Sequence, residues 1–174
     1  TKANFDDLED KIRVLRALAN NAEIQNELIQ SNAEFESLDD PYSVIDTLEA
    51  EWMHNPKIVT EHMQSLMNNE SALISKAIVE HHQEDLVPLI SIAIANTYGV
   101  NTAITEKTQD YIQSDESWWK KTKESGIYIM SGSTSEGYTG LYTLEISKII
   151  NDREGNFIGI IKATVNFEKV FLSE

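Results

Sequence analysis

Cysteine is absent from this 174-residue chain, which excludes disulfides, thiolate metal sites and cysteine nucleophiles. Positive charge is scarce: 14 Lys and Arg stand against 29 Asp and Glu, a net charge of −15. So acidic a chain offers no basic face to a nucleic-acid backbone and little attraction to an anionic lipid surface. No run of about 18 apolar residues occurs, so no segment reads as a membrane span, and no signal-peptide pattern is visible. Glycine is missing before Gly99, the first of seven, whereas the three prolines are Pro41, Pro56 and Pro88.

What remains is an ordinary globular composition, 41% hydrophobic and 25% charged, in a length that suits one domain. The uneven glycine distribution divides the chain once. Helix-compatible sequence fills residues 1–85 and turn-rich, β-branched sequence fills 86–172. We read 1–174 as one α+β domain with segregated elements. The chain opens at Thr1 within a helical pattern and closes at Phe171-Leu172-Ser173-Glu174 in another, so we expect a segment of a longer protein.

One long helix is expected over residues 5–36. Phe5, Leu8, Ile12, Leu15, Ala19, Ala22, Asn26, Ile29 and Ala33 alternate spacings of three and four, a heptad seam with one polar member. Val14, Leu18, Ile24, Leu28 and Phe35 form a second apolar set, and a helix apolar on two sides must bury both. One side can cover a sheet. The other can pack within the monomer or against a second copy. Asp40-Pro41 starts the next helix, with Val44, Ile45, Leu48 and Trp52 as its stripe, and Asn55-Pro56 ends it. Ile58, Val59, Met63, Leu66 and Met67 mark another, ending near Asn68-Asn69, and Ser71 caps a fourth.

The period then changes. Leu89 to Ala95 reads as a buried strand, Asn96-Thr97-Tyr98-Gly99 as a hairpin turn and Val100 to Thr105 as the returning strand. Ser114-Asp115-Glu116 precede a short helix bearing Trp118 and Trp119. Ile127–Met130, Leu141–Ile150 and Phe157–Val165 are three further strands, with a polar loop over 131–140 and a turn over 152–156. The expected architecture is a five-stranded, largely antiparallel sheet backed by the long N-terminal helix.

This order resembles the Cache family, the PAS-like extracytoplasmic sensor domains of bacterial and archaeal receptors. The resemblance covers about residues 5–172. It is most specific over Lys107–Lys121 around Trp118-Trp119, and in the turn and last strand from Asp152 to Ala163. It implies a segment lying between two transmembrane helices of a histidine kinase or chemoreceptor, in the periplasm or at the cell surface. Occupancy of a small-molecule pocket would be read through the terminal helices. Carried over by position, Tyr111, Trp118 and Trp119 roof the pocket, Tyr128 stands on a wall strand and Thr164 on the last strand. Strand alternation places Ile160, Lys162 and Thr164 on one face and Ile161, Ala163 and Val165 on the other.

Two positions depart from the amino-acid-binding branch of that family. Glu116 stands where the branch has an arginine for the ligand carboxylate, and Thr164 where it has an aspartate for the ligand ammonium. An Arg-to-Glu change reverses the charge preference, which disfavours an ordinary α-amino acid. Lys162 remains able to receive one acidic group. Asp115 and Glu116 in the plainest reading cap the helix, with ligand or cation contact as the alternative.

The other chemical signals are weak. His54, His62, His81 and His82 form no recognisable zinc pattern with a carboxylate. The Asp152–Gly155 turn lacks the alternating oxygens of a calcium loop. Ser131–Gly137 resembles a phosphate cradle only in composition. No nucleophile and base pair off, so neither a cofactor nor a catalytic role is expected. The leading reading is a sensor module. The alternative is the same fold without a ligand, acting as a dimerisation or protein-interaction element.

Overall fold

The computed structural model describes residues 2–131 and 142–171. Helices α1 (Lys2–Ala19), α2 (Ala22–Glu36), α3 (Pro41–His54), α4 (Glu61–Asn68) and α5 (Glu70–His81) come first. Strands β1 (Leu89–Asn96) and β2 (Asn101–Ile104), helix α6 (Ser117–Ser125), strands β3 (Ile127–Ser131), β4 (Thr143–Asn151) and β5 (Phe157–Asn166), and the short α7 (Glu168–Phe171) follow. The five strands form one sheet in the order β2-β1-β5-β4-β3, and every neighbouring pair is antiparallel.

The single long helix expected over 5–36 is two helices. Asn21 leaves the helical region at φ −70°, ψ 128°, and its Oδ1 accepts from the backbone N–H of Glu23 (3.0 Å) and Ile24 (3.1 Å). An asparagine that offers the next turn a cap competes with continuing the first helix. The C-terminal carbonyl of Ala19 is taken up by the buried Gln25, whose Nε2 donates to Ala19 O (2.9 Å) and to Asn151 O on β4 (3.1 Å). The break redistributes the apolar sets. Helix α1 buries Leu15, Leu18 and Ala19, with Leu8 and Ile12 partly buried, whereas α2 buries Ile24 and Leu28. Ala22, Asn26, Ile29 and Ala33, the continuation of the heptad seam, are exposed.

Two other starts differ from expectation. Thr60 caps α4, accepting from Met63 N at 3.2 Å, so Ile58 and Val59 precede the helix and are exposed. Asn69, not Ser71, caps α5, its Oδ1 accepting from Ala72 N at 2.9 Å. Pro41 at the first turn of α3 and Asp40 as its cap, accepting from Ser43 N at 3.1 Å, follow the reading. Thr143 opens β4. Leu141, most of the polar loop over 131–140, and the closing Leu172-Ser173-Glu174 lie outside the described residues.

The main core lies behind the sheet. Ile92, Ile94, Ile146, Ile161, Ala163 and Val165 meet Leu15, Leu18, Ile24 and Leu28 in one buried cluster. Each Ile, Leu and Val side chain among them contributes about 1.5–3 kcal/mol by leaving water. Phe167 and Val170, just past β5, join this layer. At the front, α6 lies over β3 and β4, while α3 and α4 enclose a second cluster of Ile45, Trp52, Met63, Val100, Ile104 and Tyr111. The front face of the sheet is covered only in part.

Candidate functional site

A cavity of about 230 Å³ opens on the front face. Its floor follows from strand alternation. Ser91 pairs with Thr164, Thr164 with Glu145, and Glu145 with Met130 across the register from β1 to β3, and all four line the cavity with Ala93 and Lys162. The opposite faces of the same strands carry Ile92, Ile146, Ala163 and Val165 into the rear core. The division expected on the last strand, with Lys162 and Thr164 on one side and Ile161, Ala163 and Val165 on the other, is the one observed.

The wall is the loop from Glu106 to Gln113, which has little regular structure, so its backbone groups need partners elsewhere. Glu49 Oε2 on α3 accepts from Tyr111 N (2.7 Å) and Ile112 N (3.1 Å). Trp52 Nε1 donates to Thr108 O at 2.9 Å. Lys107 reaches away, donating to the carbonyls of Asn55 (3.2 Å), Pro56 (3.3 Å) and Ile58 (2.9 Å). Gly99, at φ +75°, lets its carbonyl accept from Gln113 N (2.6 Å) and Ser114 N (3.2 Å). The loop is thus fastened to α3 and to the hairpin turn, and Gln113 and Asp110 face the cavity from it.

Trp118 covers the cavity from α6. Beneath it, Lys162 Nζ lies 4.5 Å from the Trp118 ring centroid and 3.8 Å from Glu145 Oε2. A primary ammonium is thereby held between a ring face and a carboxylate. Glu145 is only 7% exposed. Burial pushes its carboxyl above the usual carboxylate range against the opposing pull of Lys162, and Glu116 adds to the rise. Asp110 is also pushed up, by burial first and then by Glu49, with Asp115 and Glu116 contributing, while the hydrogen bond from Gln113 Nε2 (2.8 Å) partly offsets them. Thr143 Oγ1, on a residue 5% exposed, has no hydrogen-bond partner among the described residues and borders the same space.

Of the residues singled out from the sequence, Glu116, Trp118, Lys162 and Thr164 come together here. The others lie apart. Tyr111 points into the second core, stacked on Trp52 (centroids 5.5 Å, 30°) and edge-on to His62 (5.3 Å). Trp119 packs beside Phe157, Ala95 and Ile160. Tyr128 takes the Lys121 ammonium over its ring at 4.9 Å and accepts from it through its hydroxyl at 3.0 Å. Asp115 is exposed. The expected capping by side chains is absent at α6: Glu116 occupies the N-cap position, but only its backbone carbonyl accepts, from Trp119 N at 3.2 Å.

Asp110, Thr143 and Glu145 are functional candidates that the sequence reading missed. The available signal lay in β4, where Thr143, Glu145 and Ser147 alternate with Leu144 and Ile146, a polar face inside a buried strand.

No protein-family model and no curated protein matches the chain. Among the solved structures it resembles are extracellular or ligand-binding domains of receptors. One is the extracellular domain of a candidate histidine kinase, rpHK1S-Z16, at 15% identity and a TM-score of 0.45, covering 100% of this chain and 64% of that one. Another is an extracellular ligand-binding receptor from Desulfohalobium retbaense, at 13% identity and TM-score 0.45, covering 91% and 26%. A third is the ligand-binding domain of the Pseudomonas aeruginosa amino acid chemoreceptor PctC in complex with GABA, at 9% identity and TM-score 0.42, covering 95% and 64%. The chain thus spans less than two thirds of the length of each.

Proposed function

We propose that this chain is a non-catalytic small-ligand sensing module of a membrane-bound signalling receptor of the histidine kinase or chemoreceptor type, facing the outside of the cell. The observation that carries the reading is the front-face cavity: it is lined by side chains of four strands, covered by Trp118, and bordered by buried polar groups, one of which lacks a partner among the described residues. Concave, partly apolar sites with a few convergent polar groups are how proteins hold small molecules. The Cache resemblance of the Trp-bearing segment supports the same reading. Among the described residues no helix is long and apolar enough to cross a membrane, so anchoring would belong to flanking sequence. The central strand β5 carries Lys162 and Thr164 on its front and rear-core residues on its back, giving occupancy a direct mechanical route to α1 and α2.

The test is a thermal-stability screen of the purified domain against organic acids, amines and purines. A ligand raises the melting temperature by mass action, and Trp118→Ala abolishes that rise while retaining a cooperative melt. Silence across the whole library, or a ligand response unchanged in Trp118→Ala, overturns the reading.

A second reading, dimerisation through the N-terminal helices, is favoured by one observation. The stripe Ala22, Asn26, Ile29, Ala33 on α2 is exposed, with Ile29 46% accessible. Sedimentation equilibrium of the wild type and Ile29→Glu decides it. A dimer that the glutamate dissociates supports this reading, and a monomer at high concentration removes it.

A further inference from the structure

We propose that the cavity receives a small organic amine that carries no carboxylate of its own. The proposal rests on the sensing reading above and names the chemical class of its ligand. Four lining residues are acids, Glu106, Asp110, Glu116 and Glu145, and two are lysines. Neither lysine offers an unopposed charge to an anionic ligand. The Lys107 ammonium is directed at three carbonyls outside the cavity. The Lys162 ammonium has the Glu145 carboxyl as a countercharge 3.8 Å away and the Trp118 ring over it, so a ligand carboxylate would compete with Glu145 for it. The segment 132–141 contains no Lys or Arg, so it brings no further cation to the site. A ligand carboxylate would meet repulsion without an unopposed compensating partner.

A cation meets the reverse. Asp110 is half-buried on the loop wall, and the carboxylates of Glu49, Asp115 and Glu116 around it leave its negative charge poorly compensated. An ammonium donates up to three hydrogen bonds to such groups. Thr143 Oγ1 is a second, independent pointer. It is a nearly fully buried hydroxyl on the cavity floor with no partner among the described residues, and a buried polar group left unpaired costs stability that a ligand donor or acceptor would recover. Lys162 shows that the environment suits an ammonium, since the protein places its own there. The ligand amine takes the remaining space between Asp110, Glu116 and Thr143.

The experiment is isothermal titration of the purified domain at neutral pH and low salt with four matched four-carbon probes: putrescine, γ-aminobutyrate, butanediol and succinate. Putrescine is expected to bind at least tenfold more tightly than γ-aminobutyrate or butanediol, with succinate silent. Asp110→Asn is expected to weaken putrescine at least tenfold while melting as cooperatively as the wild type. Tighter binding of succinate or γ-aminobutyrate than of putrescine overturns the amine assignment and leaves the sensing reading standing. Putrescine binding that Asp110→Asn does not weaken overturns the assignment to this site. If all four probes are silent the amine proposal falls, and the sensing reading falls with it only if the broader library is silent as well.

Discussion

Two adjacent tryptophans divide the labour of the front face. Consecutive residues on a helix point about 100° apart. Trp118 therefore covers the cavity, while Trp119 turns into a cluster with Ala95 and Ile160 and meets Phe157 edge-on (6.4 Å, 77°). Trp119→Ala should cost about 3–5 kcal/mol, read as a lower urea midpoint with an unchanged slope. At Asp110 the sign is opposite. Its folded pKa lies above the value of an exposed aspartate, so ionisation favours the unfolded chain. Its contribution is present below the unfolded pKa and is lost as pH rises through the folded one. Asp110→Asn in the ligand-free protein should therefore melt higher than the wild type at neutral pH. The advantage should vanish in acid, where the wild-type carboxyl is protonated. Equal melting temperatures across that range would contradict the burial argument. What was legible of this cavity is the Trp-bearing helix and the alternation at Lys162 and Thr164, which follow from local pattern; Asp110, Thr143 and Glu145 were not. The direction of Tyr111 was not, because a loop without periodicity takes its orientation from tertiary partners, here Glu49 and Trp52.

At the scale of elements, the strands and their hairpin were legible because period-two alternation and Gly99 mark them directly. The break at Asn21 was concealed by the heptad seam itself. Ala19 and Ala22 keep a spacing of three across the gap, so hydrophobic periodicity runs through a point where the backbone does not. Only the capping chemistry of asparagine marks it. A second element-level constraint lies where α2 crosses β5. A Cβ at Gly159 would fall 2.4 Å from Ala95 O and 3.0 Å from Leu28 Cδ2. Gly159→Ala must displace either the neighbouring strand or the helix, and should cost about 1–3 kcal/mol. Combining it with Leu28→Ala should not restore stability, since the harder clash is with backbone. Recovery in the double variant would show that the helix alone sets the limit.

For the molecule as a whole the governing influence is charge. A net −15 on a compact body favours expansion through self-repulsion. Raising salt from about 0.01 M to about 0.1 M shortens the screening length from about 30 Å to about 10 Å. The melting temperature should rise over that interval and then level off. A flat profile would mean that local pairs offset the repulsion. One such pair is the buried Lys11 with Asp85, where His82 Nδ1 also meets Asp85 at 2.7 Å, binding α1 to the end of α5. The α+β class was legible from where glycine begins. The resemblance put the pocket on the sheet face away from the N-terminal helix, where the cavity lies; how much of that face stays open was not legible, because it depends on how far α3, α4 and α6 extend over the sheet.

The interruption at Asn20-Asn21 bears on how the rear layer can respond to the front. Helix α1 rests on β4 and β5, and α2 on β5 and β1. One unbroken rod would average any tilt of these strands along its whole length. Two shorter rods meeting at a corner need not. A small rotation of β5 about its own axis acts on them through different lever arms, so the natural coordinate of the back layer is the angle between its two halves rather than the sliding of a single shaft.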